Sequence, residues 1–190
     1  MARTAQALAA TRVAMVPTLA LHEIFSRLTD TALRSRPWLS DVPADHAGIR
    51  DVAGFLARAG WQPPDFVAFR RARPRQDQFV REFKRAGGLI AAGSDAANQM
   101  LVPGASLHEE MAQLVAAGLT PIEAITAATR HGAQLLHADS LGMVAPGKVA
   151  DLVVLNSSPD SSIAATRDIM LVMIRGRMLR PDSLRAAWKR

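Results

Sequence analysis

The stretch that decides the reading of this chain is Gly87-Gly88-Leu89-Ile90-Ala91-Ala92-Gly93-Ser94-Asp95. Two glycines release a short apolar run, and Gly-Ser-Asp stops it. Four consecutive apolar residues bounded by turn signals predict a buried strand, Leu89 to Ala92. A carboxylate just past the carboxyl end of such a strand is where α/β folds place their chemistry. Asp95 is therefore the leading candidate for a catalytic residue, and the predicted fold class is α/β. A polar loop containing Pro103 and Gly104 follows.

Downstream, two helix starts are legible. Ser106-Leu107-His108-Glu109 has the Ser-x-x-Glu spacing of a capping box, and Thr120-Pro121-Ile122-Glu123 repeats it with Pro at the first helical position. The two helices are expected to run to about Ala117 and about Leu136. Past Leu141 the pattern turns to strands: Ala150 to Asn156, Met170 to Ile174, and Arg177 to Leu179 after the Arg175-Gly176 turn. Upstream, Ala5 to Ala10 reads as helix, Val13 to Val16 as a short buried strand, and Leu21 to Leu28 as a short helix. Residues 29–48 read as a long loop, which in a compact domain is usually a lid or insertion. Ile49 to Ala59 is amphipathic and stops at Gly60. Pro63-Pro64 is read as a break, and Gln76 to Ala86 as a helix stopped by Gly87-Gly88. Alternating helix and strand followed by a β-rich tail predicts an α/β body plus a small sheet module.

Composition bounds the classes. The chain has 190 residues, 49% hydrophobic and 21% charged, with a net charge of +6 and no cysteine. Those are values of a globular domain without disulfides or thiolate metal sites. The lack of cysteine fits a reducing compartment, and a cytoplasmic location is expected. No apolar stretch reaches the roughly 18 residues of a membrane span, so no membrane partner is expected. Arg70, Arg71, Arg73, Arg75, Arg81, Lys84 and Arg85 form a basic cluster. Asp77 and Glu82 interrupt it, and aromatics are only 5% with no Tyr. No nucleic-acid partner is expected, because base stacking needs aromatic platforms. Arg3 and Arg12 without a nearby acid hint at a targeting peptide. Pro17 splits the apolar stretch after them, so an internal helix and strand of a fold that starts elsewhere is the better reading.

The stretch Gly88 to Leu179 resembles the carboxyl-terminal part of the metal-dependent amidohydrolases, in particular the imidazolonepropionase-like and prolidase-like branch. The resemblance rests on Ala92-Gly93-Ser94-Asp95, Val102-Pro103-Gly104 with Leu107-His108-Glu109-Glu110, and Ala117-Gly118-Leu119-Thr120-Pro121-Ile122-Glu123-Ala124-Ile125. It ends on Leu141-Gly142-Met143-Val144-Ala145-Pro146-Gly147-Lys148-Val149-Ala150-Asp151-Leu152-Val153-Val154-Leu155. Val13 to Leu19 weakly resembles the penultimate barrel strand, and residues 30–80 match nothing recognisable.

The resemblance implies a (β/α)8 TIM-type barrel with a small β-sandwich. A barrel takes about 250 residues, so this chain would hold only the last part of one, over residues 1–140, with 30–80 as an insertion or lid. Residues 141–190 would supply β-sandwich strands and a tail. By the same resemblance Asp95 would be both a metal ligand and the catalytic proton carrier, and His108 a substrate contact. The cofactor would be a divalent metal, zinc by family habit, activating water to cleave an amide or cyclic amide C–N bond in a non-peptide or dipeptide substrate.

The five histidines, His22, His46, His108, His131 and His137, form no His-x-His pair. The remaining family ligands have no counterpart, so the 190-residue chain alone is expected to be inactive. An alternative remains open: a catalytically inactive paralogue or subunit, as a homo-oligomer or bound to a separate amino-terminal half that carries the missing ligands. It would cover its open parallel edges with that partner. Glu109 and Glu123 are read as capping residues, His131 and His137 as structural, and Lys148 as a turn residue. His22 follows the first strand and is a weaker pocket candidate.

Overall fold

The computed structural model describes residues 1–188. The chain opens with α1 (Ala2–Ala10) and the two-residue strand β1 (Ala14–Met15). Thr18, in the left-handed region at φ 48°, turns the chain into α2 (Leu19–Ser26). Leu19, Ala20 and Ile24 point into the core. Residues 29–48, expected as loop, wind instead into tight 3-10 turns over 31–35, 37–41 and 44–50. They are not a detached flap: Leu33, Leu39, Val42 and Ile49 are buried in one core with Ile24, Leu28 and Phe66.

Helix α3 (Val52–Ala59) is capped by Asp51, which accepts from Gly54 N–H, and ends at Gly60 with φ 67°. The next helix corrects the sequence reading. Pro63-Pro64 does not break the chain but begins α4 (Pro63–Arg85), 23 residues long. Gln62 and Asp65 form a reciprocal capping box there, and proline at the first helical turn gives up no hydrogen bond. Pro74 lies inside α4 and does remove one. Burial of Phe66, Val80 and Phe83, in two different cores, offsets that loss.

Gly88 leaves α4 where a Cβ would lie 2.4 Å from the Phe83 ring, so only glycine fits. Strand β2 (Leu89–Ile90) then pairs parallel with β1, Ala14 opposite Leu89 and Met15 opposite Ile90. Two backbone groups on the far side of β2 and just past it find partners within the chain: Ala92 N–H donates to Ala127 C=O at 3.0 Å, and His131 Nδ1 lies 2.7 Å from Ile90 C=O. These contacts come from α6 (Pro121–Ala128) and α7 (Arg130–Leu135), which follow α5 (Ala105–Ala116). The single helix expected to Leu136 is thus two, broken at Thr129 (φ −123°, ψ −83°). The second core joins Leu19, Val80, Phe83, Ile90, Met111 and Leu114 with Ala124 and Ala127.

A three-stranded antiparallel sheet follows, β3 (Leu152–Leu155), β4 (Ile169–Ile174) and β5 (Arg177–Leu179), in sequence order. Its register pairs Val153 with Val172 and Met173 with Met178. The described chain closes with α8 (Pro181–Trp188). No helix among the described residues is long and apolar enough to cross a membrane.

Candidate functional site

The loop after β2 is tightly built. Gly93 is required, since a Cβ would lie 2.6 Å from Cγ1 of Val16, just past the neighbouring strand β1. Ser94 is buried, and its hydroxyl bonds that of Ser106 at 2.8 Å. This corrects the first capping box. Helix α5 begins two residues earlier than that box implies, at Ala105 behind Gly104, with no side-chain cap. Ser106 faces inward and ties the loop to the helix. Glu109 pairs with Arg36 at 2.6 Å rather than with the helix start. A tertiary partner outcompetes the local bond in both cases.

Asp95 stands exposed at φ 54°, and Ala97 and Met100 also have positive φ. Such backbone is costly for residues with a Cβ and persists only where surroundings hold it. The holding contacts are clear. Met100 and Leu101 are buried, Met100 N–H donates to Ile49 C=O at 2.8 Å, and Ala97 N–H donates to Leu101 C=O at 3.0 Å. Asn98 Nδ2 donates to the Asp95 carbonyl at 3.0 Å. The Asp95 carboxylate itself is left without a hydrogen bond or ion pair among the described residues.

His108, in the first turn of α5, places Nδ1 2.9 Å from Thr166 Oγ1. The Thr166 hydroxyl already donates to Ile163 C=O at 2.8 Å. Its proton is committed, so His108 Nδ1–H is the donor and Nε2 carries the lone pair. Burial, and then the nearby Arg167 guanidinium, lower the His108 pKa and favour that neutral form. His108 lines a cleft between the 37–41 turn, the start of α5 and the sheet module.

The other histidines go elsewhere. His22 turns to α4, where its Nε2 lies 2.5 Å from Gln76 Nε2 and its ring meets Phe69 edge-on. Burial and Arg73 lower its pKa. His131 braces β2, His46 bonds exposed Asp45 at 2.8 Å, and His137 is exposed. Lys148 bonds the Asp139 carbonyl in the Pro146-Gly147 turn, as a turn residue. Among the described residues no group of three or more His, Asp or Glu side chains converges to hold a metal. Asp95 and His108 on their own do not fit a metal centre.

One buried acid was not singled out from the sequence. Glu110 is 0% exposed; one carboxyl oxygen accepts from Ala20 N–H at 2.7 Å, and the other has no partner. Burial pushes its pKa up to about 7, against the pull of the Ala20 and Leu19 N–H groups and of Arg73. The signal was available: Ser106, Glu110 and Leu114 recur every four residues, on the face that α5 turns to the core. The basic cluster on α4 is largely engaged internally. Arg70 donates to Ser26 C=O, Arg73 pairs with Asp77, Arg81 donates to Ala117 C=O, and Lys84 pairs with Glu123. A groove of about 1160 Å³ runs between α4 and β1, past Met15, Leu19 and Phe79, and Asp95 is not on its walls.

Residues 58–179 match the Amidohydrolase family. The chain belongs to that family. The matched span runs from the end of α3 to β5 and contains both Asp95 and His108. An imidazolonepropionase of Chromobacterium violaceum is 36% identical over 137 residues, 70% of this chain and 33% of that protein. The chain thus spans about a third of the length of that curated relative. A putative prolidase from Bifidobacterium longum is similar in structure at 26% identity and TM-score 0.59, over 93% of this chain and 40% of that one. A Xaa-Pro dipeptidase with bound methionine shares the fold at 21% identity and TM-score 0.61, over 88% and 34% of the two chains.

Proposed function

We propose that this chain is the carboxyl-terminal part of a metal-dependent hydrolase that cleaves an amide or cyclic amide C–N bond in a small non-peptide or dipeptide substrate. In this reading β1 and β2 are the last strands of a (β/α)8 barrel, residues 1–140 its partial body, and 141–190 the strands and tail of a β-sandwich. Asp95 is the carboxylate the chain contributes to a divalent metal, zinc by family habit, and to moving the proton of the metal-activated water. His108 contacts substrate. The remaining ligands come from sequence outside these residues, and the location is cytoplasmic.

The observation that carries the reading is the unpaired Asp95 carboxylate, presented just beyond β2 on a loop anchored by Met100, Leu101 and the Ser94–Ser106 bond, inside the family-matched span. A second reading is a subunit that is silent alone and completed by a partner. The side of β1 suits such a partner: Val13 and Val16 are 47% and 45% exposed beside the groove.

The test is elemental analysis for metal, with and without added zinc, on the chain alone and after co-expression with an amidohydrolase amino-terminal barrel segment. The chain alone is expected to hold almost no metal. The complex is expected to hold metal that Asp95→Ala loses together with hydrolysis. A complex that binds metal and hydrolyses equally well with Asp95→Ala removes Asp95 from the site. A complex with metal but no hydrolysis supports the silent subunit.

A further inference from the structure

The cleft lined by His108 has a volume of about 620 Å³ and is walled by Trp38, Val102, Pro103, Arg167 and Ile169. Its charge is unbalanced in one place. Arg36 and Arg167 lie over the Trp38 ring, their guanidinium carbons 5.6 and 4.4 Å from its centroid. Arg36 is neutralised by Glu109 at 2.6 Å. Arg167 has no ion pair among the described residues, and its one hydrogen bond there is a 3.4 Å contact with Ala105 C=O. On the same walls Arg185 pairs with Asp182 at 3.7 Å, and Glu109 attracts Arg167 without pairing with it, which leaves Arg167 as a cation with no ion pair of its own among the described residues.

Stacking on an indole fixes a guanidinium without consuming its N–H fork. Arg167 is therefore preorganised and exposed to a ligand at once. A guanidinium fork matches a carboxylate in two parallel hydrogen bonds. Beside it His108, fixed as donor to Thr166, presents Nε2 as a bare acceptor. That acceptor calls for an O–H or N–H next to the carboxylate. A free amino acid would bring an ammonium group up to Arg167, whereas a hydroxyl brings no charge. Val102, Pro103 and Ile169 supply apolar walls.

We propose that this cleft binds a small 2-hydroxy carboxylate with an apolar side chain: Arg167 takes the carboxylate, His108 Nε2 accepts the hydroxyl proton in a hydrogen bond, and Trp38 with the apolar walls packs the side chain. The proposal shares His108 with the proposed function but does not rest on Asp95, which is not on the walls of this cleft, and its test reads binding rather than turnover.

The experiment is isothermal titration calorimetry of the full chain with 3-phenyllactate at about 0.1 M salt, where nonspecific attraction to exposed charge is largely screened. Saturable binding is expected. The methyl ester is expected to bind at least about tenfold more weakly, since a charged hydrogen-bonded pair is lost. 3-Phenylpropionate, which lacks the hydroxyl, is expected to fall by about threefold to tenfold. Arg167→Met should lose binding about as far as the ester does. Ser40→Trp, which fills the cleft from its exposed rim and leaves Arg167 in place, should abolish it, with folding of both variants checked by circular dichroism. The proposal is overturned if 3-phenyllactate gives no saturable binding to about 10 mM, a weak-ligand ceiling. It is equally overturned if either folded variant binds like wild type, or if inorganic phosphate binds as tightly, which marks a bare anion patch.

Discussion

Glu110 makes the stability of this protein fall as pH rises, and the size follows from the structure. An ordinary glutamate titrates at 4.5, and burial raises Glu110 to about 7. The folded state therefore holds a proton over that interval which the unfolded chain has released. Stability from the protonated carboxyl is fully present below pH 4.5 and is lost as pH rises through about 7. At about 1.4 kcal/mol for each pKa unit, the whole window amounts to about 3 kcal/mol. Most of it falls between pH 5 and 8. Glu109, also raised by burial, has the same sign. His22 and His108, lowered from 6.5, have the opposite sign, because the fold resists their protonation and loses stability as pH falls.

Glu110→Gln isolates the effect. The amide keeps an oxygen for Ala20 N–H and nearly the same shape, but does not titrate. Urea unfolding of both proteins should give a difference that changes by about 3 kcal/mol from pH 5 to pH 8, with wild type losing ground as pH rises. With a slope of about 2 kcal/mol per molar urea, the relative midpoint moves by about 1–2 M. Glu110→Ala should be destabilised at both pH values, since it orphans Ala20 N–H and leaves a cavity. A wild-type minus Gln difference that is flat with pH, or that moves in wild type's favour as pH rises, refutes the reasoning.

Two further outcomes are expected. Gly93→Ala should cost about 1–3 kcal/mol by overpacking against Val16, and Val16→Ala should restore much of it in the double variant; a denaturation midpoint unchanged by Gly93→Ala excludes the close approach. Thr120→Ala removes the acceptor for Glu123 N–H and should cost about 1 kcal/mol, with Thr120→Ser near wild type. Equal midpoints for Ala and Ser would show that the cap is idle.

Local signals carried some elements well and others poorly. The strand before Gly93, the Thr120 box, the stop at Gly60 and the strands past Ala150 rest on caps, turns and apolar periods within a few residues, and all are present. The 29–48 segment has no single period, because its 3-10 turns bury one residue at a time against different helices. At Pro63-Pro64 the same residue type opens a helix or ends one, and only the reciprocal bonds of Gln62 and Asp65 fix which. Ser106 and Glu109 carried a valid capping signature that Ser94 and Arg36 override.

The sequence by itself determined the family, the α/β character and the carboxylate after β2, because those depend on the order and spacing of motifs along the chain. Tertiary structure alone decided that Glu110 is buried against the start of α2, that His131 and Ala127 meet backbone groups beside β2, and that His108 bonds Thr166 in a cleft it shares with Arg167 and Trp38. Each of these joins residues far apart in sequence. Their partners are chosen by how two cores pack, and no local window of residues carries that information.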